Sequence, residues 1–157
     1  MSTDREQNID VMRQTRVAIL TYTDEQGRLV SAPMATQDFE DPSTVWFITQ
    51  VDSDKVRAIQ VSPAVNVAYA GDKGWVSLSG TARLNTDRAR LKELWGAGAG
   101  AFLTGDADDP NNALLEVDAD TAQLWESPGK LGLLVKVARG LTGGRAATED
   151  EAPVVDL

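Results

Sequence analysis

Residues 45–55, VWFITQVDSDK, are the most informative stretch of the chain, because an apolar run ends there in a short polar turn. The β-branched and aromatic residues of its first half predict a strand, and Asp52 or Ser53 can cap a helix that starts at Lys55. Two hydroxyls, of Thr49 and Ser53, and one ammonium group then meet at a helix N-terminus. Proteins hold phosphate with such groups. An ordinary capped helix with a solvated lysine explains the same residues, and both interpretations stay open at this point.

Composition restricts the classes of function. The 157 residues predict a single domain, and a net charge of −9 argues against nucleic acid or an anionic membrane as the main partner. The chain has no cysteine and no histidine, which excludes disulfides, Cys–His zinc sites and a Ser-His-Asp triad, and no metal site is predicted. Any catalysis would therefore depend on a cofactor, a carboxylate, a lysine or a tyrosine.

The N-terminal region and the hydropathy pattern bear on location. The first ten residues, MSTDREQNID, lack the basic and apolar regions of a signal peptide. No window approaches the roughly 18 apolar residues that a membrane span requires. A cytoplasmic protein is therefore expected, with no membrane partner.

Short apolar segments separated by turn residues dominate the chain. Strands are predicted over residues 15–23, 29–36, 45–49, 64–70 and 75–84, with a final antiparallel pair at 114–117 and 121–125. Helices are predicted over residues 3–13 and 55–61, from Asn85 or Thr86 to Trp95, and over 130–139. Short turns favour antiparallel neighbours, which is typical of a small closed or split barrel.

Four tryptophans stand in a chain with only 6% aromatic residues. Trp75 starts a predicted strand and Trp125 ends one. Aromatic residues at strand ends can line a binding site for a planar ligand or a subunit interface. Aromatic residues are found more often in the core. The pair is therefore a candidate for ligand or subunit contact, with the core as the competing interpretation.

Six blocks of this chain, taken in order, resemble a known family. They are GRLVSAPM at 27–34, VWFITQVDSDKVRAI at 45–59, VNVAYAG at 65–71, GWVSLSGTARL at 74–84, LKELW at 91–95 and LWESPGKL at 124–131. The chain is similar to the general stress proteins of the pyridoxamine 5′-phosphate oxidase-like, FMN-binding split-barrel superfamily. The resemblance runs from about Arg16 to Leu141.

The resemblance implies a mainly β fold, a six-stranded antiparallel split β-barrel with flanking α-helices. We expect a single domain over residues 1–141 and a charged, flexible tail over 142–157. The resemblance also implies a homodimer with FMN sites at the subunit interface. The first hypothesis for function is a flavin-dependent oxidoreductase that reduces an unknown small molecule with a reduced nicotinamide, and storage of the flavin alone is the other use that stays open.

The resemblance assigns cofactor-binding roles, and no catalytic residue, to positions in four parts of the chain. These positions are Ala32, Pro33, Met34, Ile48, Thr49, Ser53, Asp54, Lys55, Trp75 and Trp125. The first three belong to the strand that runs past the flavin ring, and the next five hold the ribityl phosphate. Trp75 starts the strand beneath the ring, and Trp125 comes from the partner subunit.

Two positions depart from the family's pattern. Many relatives carry arginine where this chain has Ala32, and the oxidase branch has a basic pair where this chain has Asp54 and Lys55. A lost charge-assisted hydrogen bond costs about 1.5–3 kcal/mol, and Arg28 or Arg57 are candidates to compensate. A flavin-free or deazaflavin-binding dimer that serves as a scaffold is the alternative function. The oxidase branch's Arg- and His-rich C-terminal segment is absent, so oxidation of pyridoxamine phosphate is not expected.

Overall fold

The computed structural model of the protein describes residues 4–96, 99, 103–127, 138 and 154–157. Within these residues the helices are α1 (Asp4–Gln14), α2 (Asp54–Val61) and α3 (Arg88–Leu94). The strands are β1 (Val17–Thr23), β2 (Leu29–Ala35), β3 (Thr44–Gln50), β4 (Ala64–Gly71), β5 (Gly74–Asn85), β6 (Asn112–Glu126) and β7 (Val154–Asp156). None of the described helices is long and apolar enough to span a membrane. The predicted mainly β fold is confirmed.

The described strands form one antiparallel sheet in the order β2-β1-β4-β5-β6-β3, and β7 adds to β6. Strands β2 and β3 stand at opposite ends of this order, yet they approach each other because the twisted sheet curls round. The chain continues from the end of β3 into α2, where Lys55 Nζ lies 3.1 Å from Met34 Sδ on β2. The barrel is therefore split between its two end strands.

Alternate residues of each strand point into the barrel and form its core. On β1, Ala18 and Leu20 are both 0% exposed, and Phe47 on β3 is 1% exposed. Helix α1 packs against β4, β5 and β6, and α2 packs against β1 and β5. Each helix adds apolar side chains to the core, such as Met12 from α1 and Ile59 from α2. The two helices thus cover parts of the barrel that the strands leave open.

A second, smaller core lies on the outer face of β3 and the first half of β6. Ile48 and Leu114 are opposite each other in the register and pack with Leu91 of α3. Leu94 and Leu103 are partly buried against this cluster. Helix α3 and Leu103 are therefore packed beside the end of β3.

The other half of the outer face stays exposed. Trp75 and Trp125 are direct cross-strand partners and are 47% and 38% exposed. The register places Ile19 of β1 on the same face, and its exposure is 39%. Large apolar side chains thus lie in water on one side of the sheet.

Two predicted boundaries are wrong. Residues 112–126 form one strand, β6, in place of the predicted pair at 114–117 and 121–125. Between the two predicted strands, Asp118 and Asp120 are exposed while Ala119 is buried, and the register shift beside Ser79 leaves Asp120 without a partner on β5. The polar residues mark a β-bulge within a continuous strand.

The cap of α3 is also different from the prediction. Asp87 is the N-cap, and its carboxylate accepts hydrogen bonds from the N–H groups of Ala89 and Arg90. Asn85 remains in β5, and its side-chain oxygen accepts from the Asp87 N–H. A carboxylate at the helix start is favoured by the helix dipole as well as by the hydrogen bonds. Of the two predicted caps of α2, Asp52 and Ser53, the structure has Ser53.

The C-terminal predictions fall largely outside the described residues. Of the helix predicted over 130–139, only Ala138 is described. In the predicted tail, residues 154–156 form β7 and pair with residues 121–123 of β6. The division into a domain over 1–141 and a tail over 142–157 stays a prediction.

Gly80 offers a test of the bulge. A methyl group there would meet the backbone of β6, with the Asp118 carbonyl oxygen as the nearest atom and Ala119 Cα at 2.7 Å. We expect Gly80→Ala to lower the free energy of unfolding by about 1–3 kcal/mol, because the two strands must move apart. Urea denaturation measures this, with Gly96→Ala as the control, since a methyl group at Gly96 meets nothing within 4 Å. Equal stability of the two variants would show that the strands adjust without cost.

Candidate functional site

A cleft of about 540 Å³ opens at the split between β2 and β3. Its walls come from β2, from the end of β3, from the start of α2 and from the segment after α3. The lining residues are Val17, Pro33, Met34, Ala35, Thr36, Gln37, Ile48, Thr49, Gln50, Ser53, Lys55, Leu94, Gly96, Ala99 and Leu103. The cleft thus has a polar part at the helix start and an apolar part beside the second core.

The polar part is built on the N-terminus of α2. The Ser53 Oγ accepts a hydrogen bond from the Val56 N–H at 3.3 Å, which fixes the hydroxyl at the helix end. A serine hydroxyl that accepts in this way keeps its hydrogen to donate to a ligand. The first backbone N–H groups of a helix have no partner inside the helix, and the helix dipole makes this end favourable for an anion.

Lys55 places a cation at the same end of the cleft. Its Nζ is 3.1 Å from the Met34 sulfur, and Lys55 forms no ion pair with any described residue. Burial lowers the pKa of Lys55 from its ordinary value of 10.5. An anion in the cleft would therefore meet a half-buried ammonium group whose charge no described carboxylate compensates.

Asp54 points away from the cleft. Its side chain is 93% exposed and is hydrogen-bonded to Arg57, and it does not line the cleft. Arg57 also donates to the Asp52 carbonyl at 2.8 Å. The carboxylate that the family pattern marks as unfavourable is thus paired with an arginine, so its repulsion of a phosphate is reduced.

The two arginines considered as substitutes for a missing guanidinium group are both engaged elsewhere. Arg57 holds Asp54, and Arg28 donates through its Nε to Asp24 at 2.8 Å in the β1–β2 hairpin. Neither residue lines the cleft. Compensation by either arginine is not supported.

The structure brings six of the ten predicted cofactor-binding residues to the cleft and leaves four outside it. The six are Pro33, Met34, Ile48, Thr49, Ser53 and Lys55. Ala32 lies opposite Leu20 of β1 and does not line the cleft. Trp75 and Trp125 pair with each other on the exposed outer face, so they do not reach the cleft of their own chain.

Sequence reasoning missed the residues that the segments around α3 and β3 contribute. Leu94 and Leu103 line the apolar part of the cleft. Gln50 also lines it, and its Nε2 donates to Thr104 Oγ1 at 2.8 Å. The apolar face of the helix predicted from Asn85 or Thr86 to Trp95 was a signal for Leu94, but nothing local indicates which wall of the barrel that helix covers.

Comparison with known proteins identifies the family. The sequence profile of the family described as pyridoxamine 5′-phosphate oxidase like matches residues 3–148. The chain belongs to this family. No curated protein matches the chain.

Solved structures similar to this chain carry general stress protein names. General stress protein 26 from Bacillus anthracis str. Sterne gives a TM-score of 0.69 at 21% identity, with 76% of this chain and 92% of that chain covered. A protein from Jannaschia sp. CCS1, assigned to general stress protein 26, gives 0.70 at 26% identity, with 98% and 96% covered. These likenesses confirm the split-barrel fold of the family.

A third similar structure names a ligand. The general stress FMN/FAD binding protein from Xanthomonas citri gives a TM-score of 0.65 at 28% identity, with 79% of this chain and 90% of that chain covered. Its name states that it binds a flavin.

The lowered pKa of Lys55 predicts how the stability of the folded protein changes with pH. Its pKa is lowered in the folded state, so below that pKa the ammonium is charged in both states and its burial costs stability. This cost disappears as the pH rises through the folded pKa toward 10.5. We therefore expect Lys55→Met to be more stable than the unaltered protein at pH 7, with an advantage that shrinks toward pH 10.5.

The measurement is urea denaturation of both proteins, without ligand, at several pH values. The control is Lys73→Met at an exposed position, where the change in stability at pH 7 should stay within about 0.5 kcal/mol. An advantage of Lys55→Met that is constant over this pH range would contradict the lowered pKa.

Proposed function

We propose that the chain is an FMN-binding, stress-related protein in which the cleft between β2 and β3 holds the flavin. The observation that carries the proposal is Lys55, a half-buried cation in the cleft that forms no ion pair within the described residues. Membership of the pyridoxamine 5′-phosphate oxidase-like family and the similarity to a flavin-binding stress protein support the choice of ligand.

The residues at the polar end fit the phosphate of FMN. The hydroxyl of Ser53 and the ammonium of Lys55 are donors, and the N-terminus of α2 adds free backbone N–H groups. Thr49, which is 3% exposed, adds a hydroxyl to the cleft wall. The net charge of −9 repels an anion at long range, so these short-range donors must supply the affinity.

The remaining wall fits a flat ring. Strand β2 pairs with β1 on one side, and its other side faces the cleft without a described strand partner. An edge strand has free N–H and C=O groups, and Pro33 fits there because it lacks an N–H. Met34, Ile48 and Leu94 offer apolar contact to the ring. The edge of β2 would thus orient the ring while the apolar side chains exclude water.

A bound flavin would supply the redox chemistry, accepting electrons from a reduced nicotinamide and passing them to a small molecule. This chain would bind and orient the cofactor, because it has no histidine or cysteine to act as a general acid or base near neutral pH. The cytoplasmic location expected from the sequence is part of the proposal.

The proposal includes a homodimer. The exposed face that carries Ile19, Trp75 and Trp125 would be covered by a second copy of the chain. Val17 belongs to both regions, since it is 54% exposed and also lines the cleft. A second copy that covers this face would therefore border the cleft, and Trp125 would reach the flavin of the partner.

Titration with FMN and riboflavin tests the phosphate site. The unaltered protein should bind one FMN per subunit, with quenched flavin fluorescence, and should bind riboflavin more weakly. Lys55→Met should weaken FMN binding by about ten- to a hundredfold, because a charge-assisted hydrogen bond to phosphate is lost. Riboflavin has no phosphate, so its affinity should change little.

The matched control is Lys92→Met. It removes a surface lysine of α3 that forms an ion pair with Asp108, a residue between α3 and β6. It should leave both affinities unchanged. Equal losses for FMN and riboflavin in Lys55→Met would contradict the phosphate role of Lys55. Absence of saturable FMN binding by the unaltered protein would favour the flavin-free or deazaflavin alternative.

Trp125→Ala tests the dimer. We expect it to shift the sedimentation equilibrium toward monomer and to weaken FMN binding by about three- to tenfold, because buried aromatic anchors contribute strongly to interfaces. The control is Val61→Ala, which changes another exposed apolar residue, at 80% exposure, on α2. If a folded Trp125→Ala variant keeps the molecular mass of the dimer in sedimentation and the same flavin affinity, Trp125 has no role in dimerisation or in flavin binding.

A further inference from the structure

The turn that carries the proposed phosphate donors is held by a segment 59 residues away in sequence. We call residues 51–53 the phosphate turn and residues 103–111 the α3–β6 loop. Asn111 of this loop donates through its Nδ2 to the Asp52 carboxylate at 3.1 Å, and its Oδ1 accepts from the Asp52 N–H at 3.2 Å. Its carbonyl oxygen also accepts from the Val51 N–H at 2.8 Å. One residue thus makes three hydrogen bonds to the turn.

The loop is itself rigidly built. The Arg88 guanidinium donates to the carbonyl groups of Asp109 at 2.9 Å and Asn112 at 2.6 Å. The same guanidinium donates to the Pro110 carbonyl at 3.1 Å. Asn112 is 0% exposed, and its Nδ2 donates to the carbonyl groups of Thr104 and Asp106 at 2.9 and 3.0 Å. A loop held from both sides in this way can act as a fixed support for Asn111.

The contacts of Asn111 determine which donors of the turn are left for a ligand. The N–H groups of Val51 and Asp52 are used by Asn111, and the Ser53 N–H is used by the Gln50 carbonyl at 3.1 Å. The hydroxyl hydrogen of Ser53 and the first N–H groups of α2 remain. The hydrogen bonds to Asn111 therefore set the backbone conformation that puts Ser53 at the helix end.

We infer that Asn111 is a positioning residue for phosphate recognition, which acts through Asp52 and the phosphate turn without touching the ligand. Asn111 does not line the cleft, in agreement with an indirect role. The inference rests on the proposed FMN site and adds a determinant of its selectivity for phosphate. A misplaced donor loses most of a charge-assisted hydrogen bond, so displacement of the turn should affect the phosphate more than the ring.

The experiment compares the dissociation constants of FMN and riboflavin, each measured by flavin fluorescence. The ratio of riboflavin to FMN dissociation constants reports phosphate discrimination. Asn111→Ala should lower this ratio by about tenfold, mainly through weaker FMN binding. Thermal unfolding followed by circular dichroism shows whether the variant is folded.

The matched control lies in the same loop. Asp108→Ala removes an exposed ion pair to Lys92 at 2.8 Å and does not involve the phosphate turn. It should leave the ratio unchanged. A fall in the ratio for Asp108→Ala equal to that for Asn111→Ala would assign the effect to the loop in general and overturn the role of Asn111.

A second variant removes the hydrogen bond between Asn111 and Asp52 by changing Asp52. It tests the inference if Asn111→Ala does not fold. Asp52→Ala removes the acceptor of the Asn111 Nδ2 and also removes a negative charge from the phosphate turn. Charge alone predicts tighter FMN binding, whereas the positioning role predicts weaker FMN binding. Weaker FMN binding with little change for riboflavin supports the inference, and equal or tighter FMN binding overturns it.

Failure of the inference and failure of the proposed function give different results. If the unaltered protein binds FMN in preference to riboflavin and Asn111→Ala keeps that preference, the inference alone is overturned. If the unaltered protein binds no FMN, or binds FMN and riboflavin equally, the phosphate site itself is wrong and the inference falls with it.

Discussion

The structure depends on a sheet that curls into a barrel without closing it. Strands β2 and β3 end the strand order and approach each other, and a cleft opens between them. Full pairing would satisfy every backbone group but would leave no room for a ligand. The open split gives the protein both its cleft and the free edge of β2. Helix α2 starts at this point because β3 ends there, so the cap of Ser53 belongs to the same region.

The ion pairs of the described residues leave the Lys55 ammonium in the cleft without a carboxylate partner. Among the described residues, Arg57 is paired with Asp54 and Arg83 with Glu116. Arg88 is surrounded by carbonyl groups of the loop before β6. Lys55 forms no such pair within the same part of the chain, although acidic residues outnumber basic ones in the sequence by 24 to 15. Desolvation of an unpaired cation is unfavourable for folding, and a bound phosphate would remove that cost.

The parts of this structure that local pattern controls could be predicted from the sequence. The strands from β1 to β5 follow apolar alternation between turn residues, and the Ser53 cap follows from its hydroxyl at the start of an apolar helix. Six cleft residues followed from the resemblance. Local pattern failed at residues 118–120, because two aspartates flank an inward-pointing alanine in a bulge and resemble a turn. It also failed for Asn111, whose partner Asp52 is distant in sequence and therefore depends on tertiary structure.

Strand β7 has a consequence for how molecules of this protein meet at high concentration. Residues 154–156 cover the edge of β6 at residues 121–123, and the Leu157 N–H donates to the Asp120 carbonyl at 2.9 Å. An uncovered edge of this kind is a template onto which a strand of another molecule can add, which begins aggregation. Strand β2, at the other end of the strand order, has no described strand partner on the side that faces the cleft. The C-terminal residues thus protect the protein from uncontrolled self-association while the opposite edge stays available for a ligand.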